Sequence, residues 1–185
     1  MLTRLSTFFY QKSSLLVCLI ITAITFWYIY LVLQDAAACY EVIDSTVSLG
    51  TSFGYSREIL EQFFWARTPQ MISCYQELLI VWDGIFALLY GTMYVCRLSY
   101  IYKPYIHKVS ILNLLPFLQT IFDRWENTIL NQLADTYMSG ETMQRFVIYT
   151  SSIFTMVKRV IYILVFVVIL YGIYMRVRDW RRGES

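Results

Sequence analysis

The stretch from Ser14 to Leu33, SLLVCLIITAITFWYIYLVL, runs for about 20 residues without a charge, enough to cross a ~30 Å hydrocarbon core as a helix. Arg4 and Lys12 precede it, and Trp27, Tyr28 and Tyr30 stand towards its far end as an interfacial belt. A cleaved signal peptide is the rival reading, because Ala36-Ala37-Ala38-Cys39 offers small residues after the run. The run is longer than the usual 7–15 residues of a signal core, and Asp35 sits just before the alanines. A membrane span is the better reading.

The rest of the chain repeats the pattern. Composition is 58% hydrophobic and 15% charged, where a soluble domain carries about 25% charged residues. A second span is expected over about 76–96, a third over about 109–131 and a fourth over about 156–175. The third is poor by hydropathy, because Asp123, Arg124 and Glu126 interrupt it. Its alternative is a surface amphipathic helix, which leaves three spans and puts the termini on opposite sides.

Charge placement favours four. Basic residues dominate the segment before the first span, the loop from Arg97 to Lys108 and the tail with Arg176, Arg178, Arg181 and Arg182. The segment 34–75 carries Asp35, Glu41, Asp44, Glu58 and Glu61 against Arg57 and Arg67. The positive-inside rule then sets both termini in the cytoplasm and 34–75 outside; which membrane is involved is left open. The expected architecture is all-α: a polytopic four-helix transmembrane bundle in one membrane domain. Within the outer loop, Ile59, Leu60, Phe63 and Phe64 recur at helical spacing after a Ser56 start. That predicts an amphipathic helix over the outer mouth, broken at Pro69, either as a packing cap or as a ligand lid.

The spans contain ionisable residues at matching heights. Asp83 lies 14 residues before Arg97 and Asp123 lies 15 after Lys108, which sets both roughly 21–23 Å above the inner boundary. Glu126, Lys158 and Arg159 fall at roughly 25–27 Å by the same count. The faces agree as well. Gln119, Asp123, Glu126, Asn127 and Leu130 share one side of the third span, and Ser151, Thr155, Lys158, Arg159 and Tyr162 form a stripe on the fourth. On the second, Asp83, Ala87, Tyr90 and Tyr94 align, and Gly84 and Gly91 permit close helix approach. Charges left in lipid cost ~2.5–3.5 kcal/mol each on insertion scales, so these stripes turn inward. The candidate intramembrane site is Asp83, Tyr90, Asp123, Glu126, Asn127, Thr155, Lys158 and Arg159. A structural ion-pair network in the outer third of the bilayer and a working site both fit it.

Gly54-Tyr55-Ser56, Tyr75, Asp83 and Tyr90-Gly91, followed by Leu115-Pro116, Asp123-x-x-Glu126-Asn127 and Thr155-x-x-Lys158, resemble a family of small four-span membrane proteins to which no activity is assigned. The resemblance covers most of the chain from Gly54 onward and implies the four-span fold and a role for the polar positions. Arg159 departs from it, standing where an aromatic residue is expected.

Other chemistry is thinly represented. Cys39 and Cys74 flank the ends of adjacent spans and are placed to pair in an oxidising compartment, whereas Cys18 and Cys96 read as small hydrophobes within spans. There is no Cys/His cluster, and the single His107 sits in a basic loop, so no metal or other cofactor is expected. Net charge is only +2, which gives no case for nucleic acid. No nucleotide loop, nucleophile elbow or HExxH motif is present. The expected function is a non-enzymatic accessory or scaffold subunit whose partners are the bilayer and, as candidates, other membrane subunits or a lipid. The alternative is a small transporter or membrane enzyme acting on a lipid or small molecule at the polar site.

Overall fold

The computed structural model describes residues 1–42, 49, 52–106 and 111–183. Asp44, Thr46, His107, Lys108, Val109 and Ser185, all used in the sequence reading, lie outside the described residues.

Among the described residues the chain is helical, without strands. Six helices are named in chain order. Helix α1 is Leu2–Lys12, α2 is Leu15–Ala38 and α3 is Arg57–Trp65; α4 is Pro69–Tyr105, α5 is Leu115–Met138 and α6 is Arg145–Arg182. Three of them, α2, α4 and α6, are long and apolar enough to cross a membrane. Their outward faces carry Leu16, Leu19 and Ile24 on α2, Leu88 on α4, and Leu164, Phe166, Val167 and Leu170 on α6, all exposed. Such continuous apolar surface suits lipid rather than water.

Helix ends follow local capping. The Ser14 side chain accepts from Val17 N and starts α2, and Ser56 does the same for α3 through Ile59 N. Pro69 separates α3 from α4, as expected, but as the first residue of α4, with Thr68 accepting from Met71 N. Gly183 closes α6 at φ +70°, a left-handed conformation that glycine adopts without strain. The helices overrun the expected spans: α2 continues to Ala38, and α4 begins seven residues before Gln76.

Side-chain contacts fix the packing directions. Thr120 Oγ1 donates to Ala87 O at 3.0 Å, Asn127 Nδ2 to Leu79 O at 3.1 Å, and Gln76 Nε2 to Asp135 Oδ1 at 2.7 Å, so α5 runs antiparallel to α4. It also runs antiparallel to α6, since Thr155 meets Glu126 and Lys158 meets Asp123. Helix α5 is thus held between α4 and α6, with Glu126, Asn127, Leu130, Leu133 and Ala134 buried. It begins and ends later than the expected third span, and it is not among the helices apolar enough to span. Where α4 passes α5, a Cβ on Gly91 would fall on the Thr120 hydroxyl, so glycine is what lets the two helices approach.

Two features were not foreseen. One is α1, which docks at the end of α4 remote from α3. There Tyr10 packs with Leu98, Tyr102 and Val165, and buried Asn113 links Ser6 and Ser99. The other is a pair of π turns, Ile29–Leu33 in α2 and Leu78–Trp82 in α4. Widening the helix there leaves carbonyls for other donors. In α4, Leu79 O accepts from Asn127, Ile80 O from Arg124 Nη1 at 2.7 Å, and Trp82 O from the Tyr28 hydroxyl at 2.8 Å. The π turn of α4 ends immediately before Asp83.

Candidate functional site

The polar stripes of α4, α5 and α6 meet. Lys158 Nζ lies 2.8 Å from Asp123 Oδ1 and also pairs with Glu126 Oε2. The other Glu126 oxygen accepts from Thr155 Oγ1 at 2.6 Å, and Glu126 is fully buried. One ammonium is therefore shared by two carboxylates in an environment that screens little. Asp83 stands on the opposite wall, where its Oδ2 accepts from Asn127 Nδ2 at 2.7 Å. Below it the rings of Tyr90 and Tyr94 lie 4.6 Å apart, and Tyr162 stacks beyond Tyr90 at 6.1 Å.

These groups, Tyr94 and Thr155 apart, line a cavity of about 820 Å³. Of the expected site residues, Asp83, Tyr90, Asp123, Glu126, Asn127, Lys158 and Arg159 all line it, and Thr155 stands behind Glu126. Apolar walls come from Ile29 and Leu33 of α2 and from Leu78, Leu79 and Phe86 of α4. Interiors pack close to crystal density and leave few voids larger than a water. This space is partly open to its surroundings, with exposed Glu41 at its border, so it is a cleft rather than an enclosed void.

The other end of the cavity comes from residues that the sequence reading did not single out. Arg67 is buried, with its Nε donating to Tyr40 O at 3.0 Å and its Nη1 to Phe63 O at 2.6 Å. Its guanidinium carbon stands 3.6 Å from the centroid of the Phe63 ring. Burial lowers the proton affinity of this group below its ordinary value. Tyr40 and Tyr75 complete this roof, with ring centroids 5.0 Å apart. Their chain neighbours Cys39 and Cys74 form a disulfide with Cα atoms 6.3 Å apart, which ties the end of α2 to the first turns of α4. Helix α3 closes the roof by burying Leu60, Phe63 and Phe64 against Ile72, Leu130, Leu133 and Ile148; Ile59 stays exposed.

The roof is also fastened to α6. The Tyr55 hydroxyl donates to Ser151 Oγ at 2.5 Å, and Tyr55 N donates to Ser152 Oγ at 2.9 Å. Burial pushes this phenol above its ordinary value, so it stays a donor at any ordinary pH. Gly54 beside it has φ +89°, and a Cβ there would stand 2.9 Å from Ser152 Oγ, so glycine is required at this turn. Ser151, the first member of the α6 stripe, thus meets Tyr55 rather than an acid. The resemblance touched Gly54, Tyr55 and Tyr75 by motif alone; nothing in their spacing placed them over the charges. Comparison with protein-family models, with curated proteins and with solved structures gives no match.

Proposed function

We propose that the chain is an integral membrane protein with four spans, α2, α4, α5 and α6, that binds a small molecule or a lipid headgroup in the cavity between them. The volume of about 820 Å³, walled by apolar side chains with convergent charges, carries this reading. In it the Lys158 cluster is a preorganised floor, and α3 with the Arg67 segment is an amphipathic cap. Glu126 and Asp123 pair with Lys158, so the floor is held by the protein's own charges.

The internal pairing of Lys158 favours a second reading, in which the cluster only fixes helix register in a scaffold or accessory subunit. Native mass spectrometry of protein extracted from its own membranes separates the two. Binding predicts a non-protein mass on the parent that is lost from Ala37→Trp, which fills the cavity from α2. Finding each protein at its own bare polypeptide mass, with nothing added to the parent, favours the scaffold.

The proposed topology sets α3 outside and both ends of the chain in the cytoplasm, with α5 crossing because its charges are paired inward. Single cysteines at Thr46 and Gly140 should then label from the outer side, and one at Ser185 only from the inner side. Labelling of Thr46 and Gly140 from opposite sides removes α5 as a span.

A further inference from the structure

The charged side chains that line the cavity are not alike at Asp83 and at Arg67, and this constrains what it takes. At the floor the described lining residues include three acids, Asp83, Asp123 and Glu126, and two bases, Lys158 and Arg159, so acids outnumber bases by one. Of the acids, Asp83 is the most available. Lys158 is within ion-pair distance of Asp123 and Glu126, whereas the side-chain hydrogen bond to Asp83 comes from a neutral amide. At the roof the situation is reversed. Among the described residues no carboxylate lies within ion-pair distance of Arg67. Two carbonyls and the Phe63 ring hold its guanidinium in place, and Glu41, which also borders the cavity, is exposed.

A buried guanidinium fixed by its Nε and Nη1 still has Nη2 to offer, and planar N–H groups suit carboxylate or phosphate. A half-buried carboxylate that accepts one neutral amide bond, as Asp83 does, has acceptor capacity for an ammonium. An anion alone would satisfy the roof and meet repulsion at the floor, and a cation alone would do the converse. A molecule carrying both charges satisfies both ends.

We infer that the cavity binds a zwitterionic group, with its ammonium against Asp83 and its phosphate or carboxylate against Arg67. This rests on the ligand-binding reading above and narrows it to a substrate class. Two sources share this chemistry: a zwitterionic phospholipid whose chains follow the apolar wall of α2, and a free amino acid or amino phosphate.

Thermal unfolding of the full chain in detergent tests the inference, with phosphatidylethanolamine, phosphatidic acid of the same chains, and soluble phosphoethanolamine as probes. Phosphatidylethanolamine at a hundredfold excess over its Kd should raise Tm by about 5 °C or more, and phosphatidic acid, which lacks the ammonium, by distinctly less. Asp83→Asn should erase the difference between the two lipids, and Arg67→Gln should reduce the response to both. A full shift from phosphoethanolamine alone keeps the zwitterion and assigns it to the soluble source. Equal shifts from both lipids in the parent, or a preference that survives in Asp83→Asn, overturn the zwitterion while the cavity still binds. If the probes have no effect, the zwitterion falls; the native mass measurement then decides separately whether the cavity holds anything at all. Should Asp83→Asn fail to fold, the comparison of lipids in Arg67→Gln still decides the anionic half.

Discussion

Replacing Lys158 with methionine should lower the stability of the detergent-solubilised protein by about 3–5 kcal/mol, the range for breaking a buried ion pair. An exposed pair would be worth only about 0–1 kcal/mol. The large figure applies because the lysine serves two acids, and Glu126 among them has no exposed surface. Without the ammonium, Asp123 and Glu126, one helical turn apart on α5, face each other with the Thr155 hydroxyl as the remaining polar partner of Glu126. Asp123→Asn should therefore recover part of the loss in the Lys158→Met background, although it is harmful by itself. Thermal unfolding of the parent, both single variants and the double variant measures this. If the two effects add within roughly 0.5 kcal/mol, the three residues do not act as one cluster.

A valine at Gly172 should cost about 1–3 kcal/mol, the range for overpacking a well-filled contact. Here α6 presses directly on α4. A Cβ at this position would stand 2.5 Å from Ile101 Cγ2 and 2.7 Å from Tyr102 Cε2, closer than real Cβ contacts come, and Tyr102 is buried. Pushing the helices apart also strains the Tyr102 hydroxyl, which donates to Val168 O at 2.8 Å one turn away on α6. Leu170→Ala on the exposed face of the same helix is the control and should change stability far less. Unfolding temperatures settle the matter: a Gly172→Val protein as stable as Leu170→Ala would mean that the α4–α6 contact is looser than its geometry indicates.

The floor of the cavity was legible because charge in an apolar run has few options. Asp123, Glu126 and Asn127 share a helix face, Lys158 follows at a matching height, and lipid excludes any other orientation. The roof was not legible. Arg67 lies in a polar connection between two helices, where a charge is ordinarily solvated, and its partners are the carbonyls of Tyr40 and Phe63, groups every residue possesses. Helix ends were misjudged for a related reason. Hydropathy stops at the first polar residues, such as Gln34 or Gln76, while backbone hydrogen bonding carries the helices on through Asp35 and back to Pro69. Helix α5 shows the same gap from the other side. Its sequence shows Asp123, Arg124 and Glu126 as interruptions, but not that two of them share Lys158 and that Arg124 donates to Ile80 O.

The π turn before Asp83 also sets an angle. One residue beyond the α-helical count is lodged in Leu78–Trp82, and each residue of an α-helix turns the chain by about 100°. Asp83 faces Asn127 from the same helix on which Cys74 and Tyr75 face α2 and the roof only because that extra residue rotates one half of α4 against the other. Deleting a single residue from the LLIVW segment would restore an ordinary helix, and every group from Pro69 to Glu77 would swing about the axis relative to Asp83. The carboxylate and the disulfide are thus phased like two teeth on one shaft, and a shift of one residue in this turn would put the acid or the clamp out of mesh.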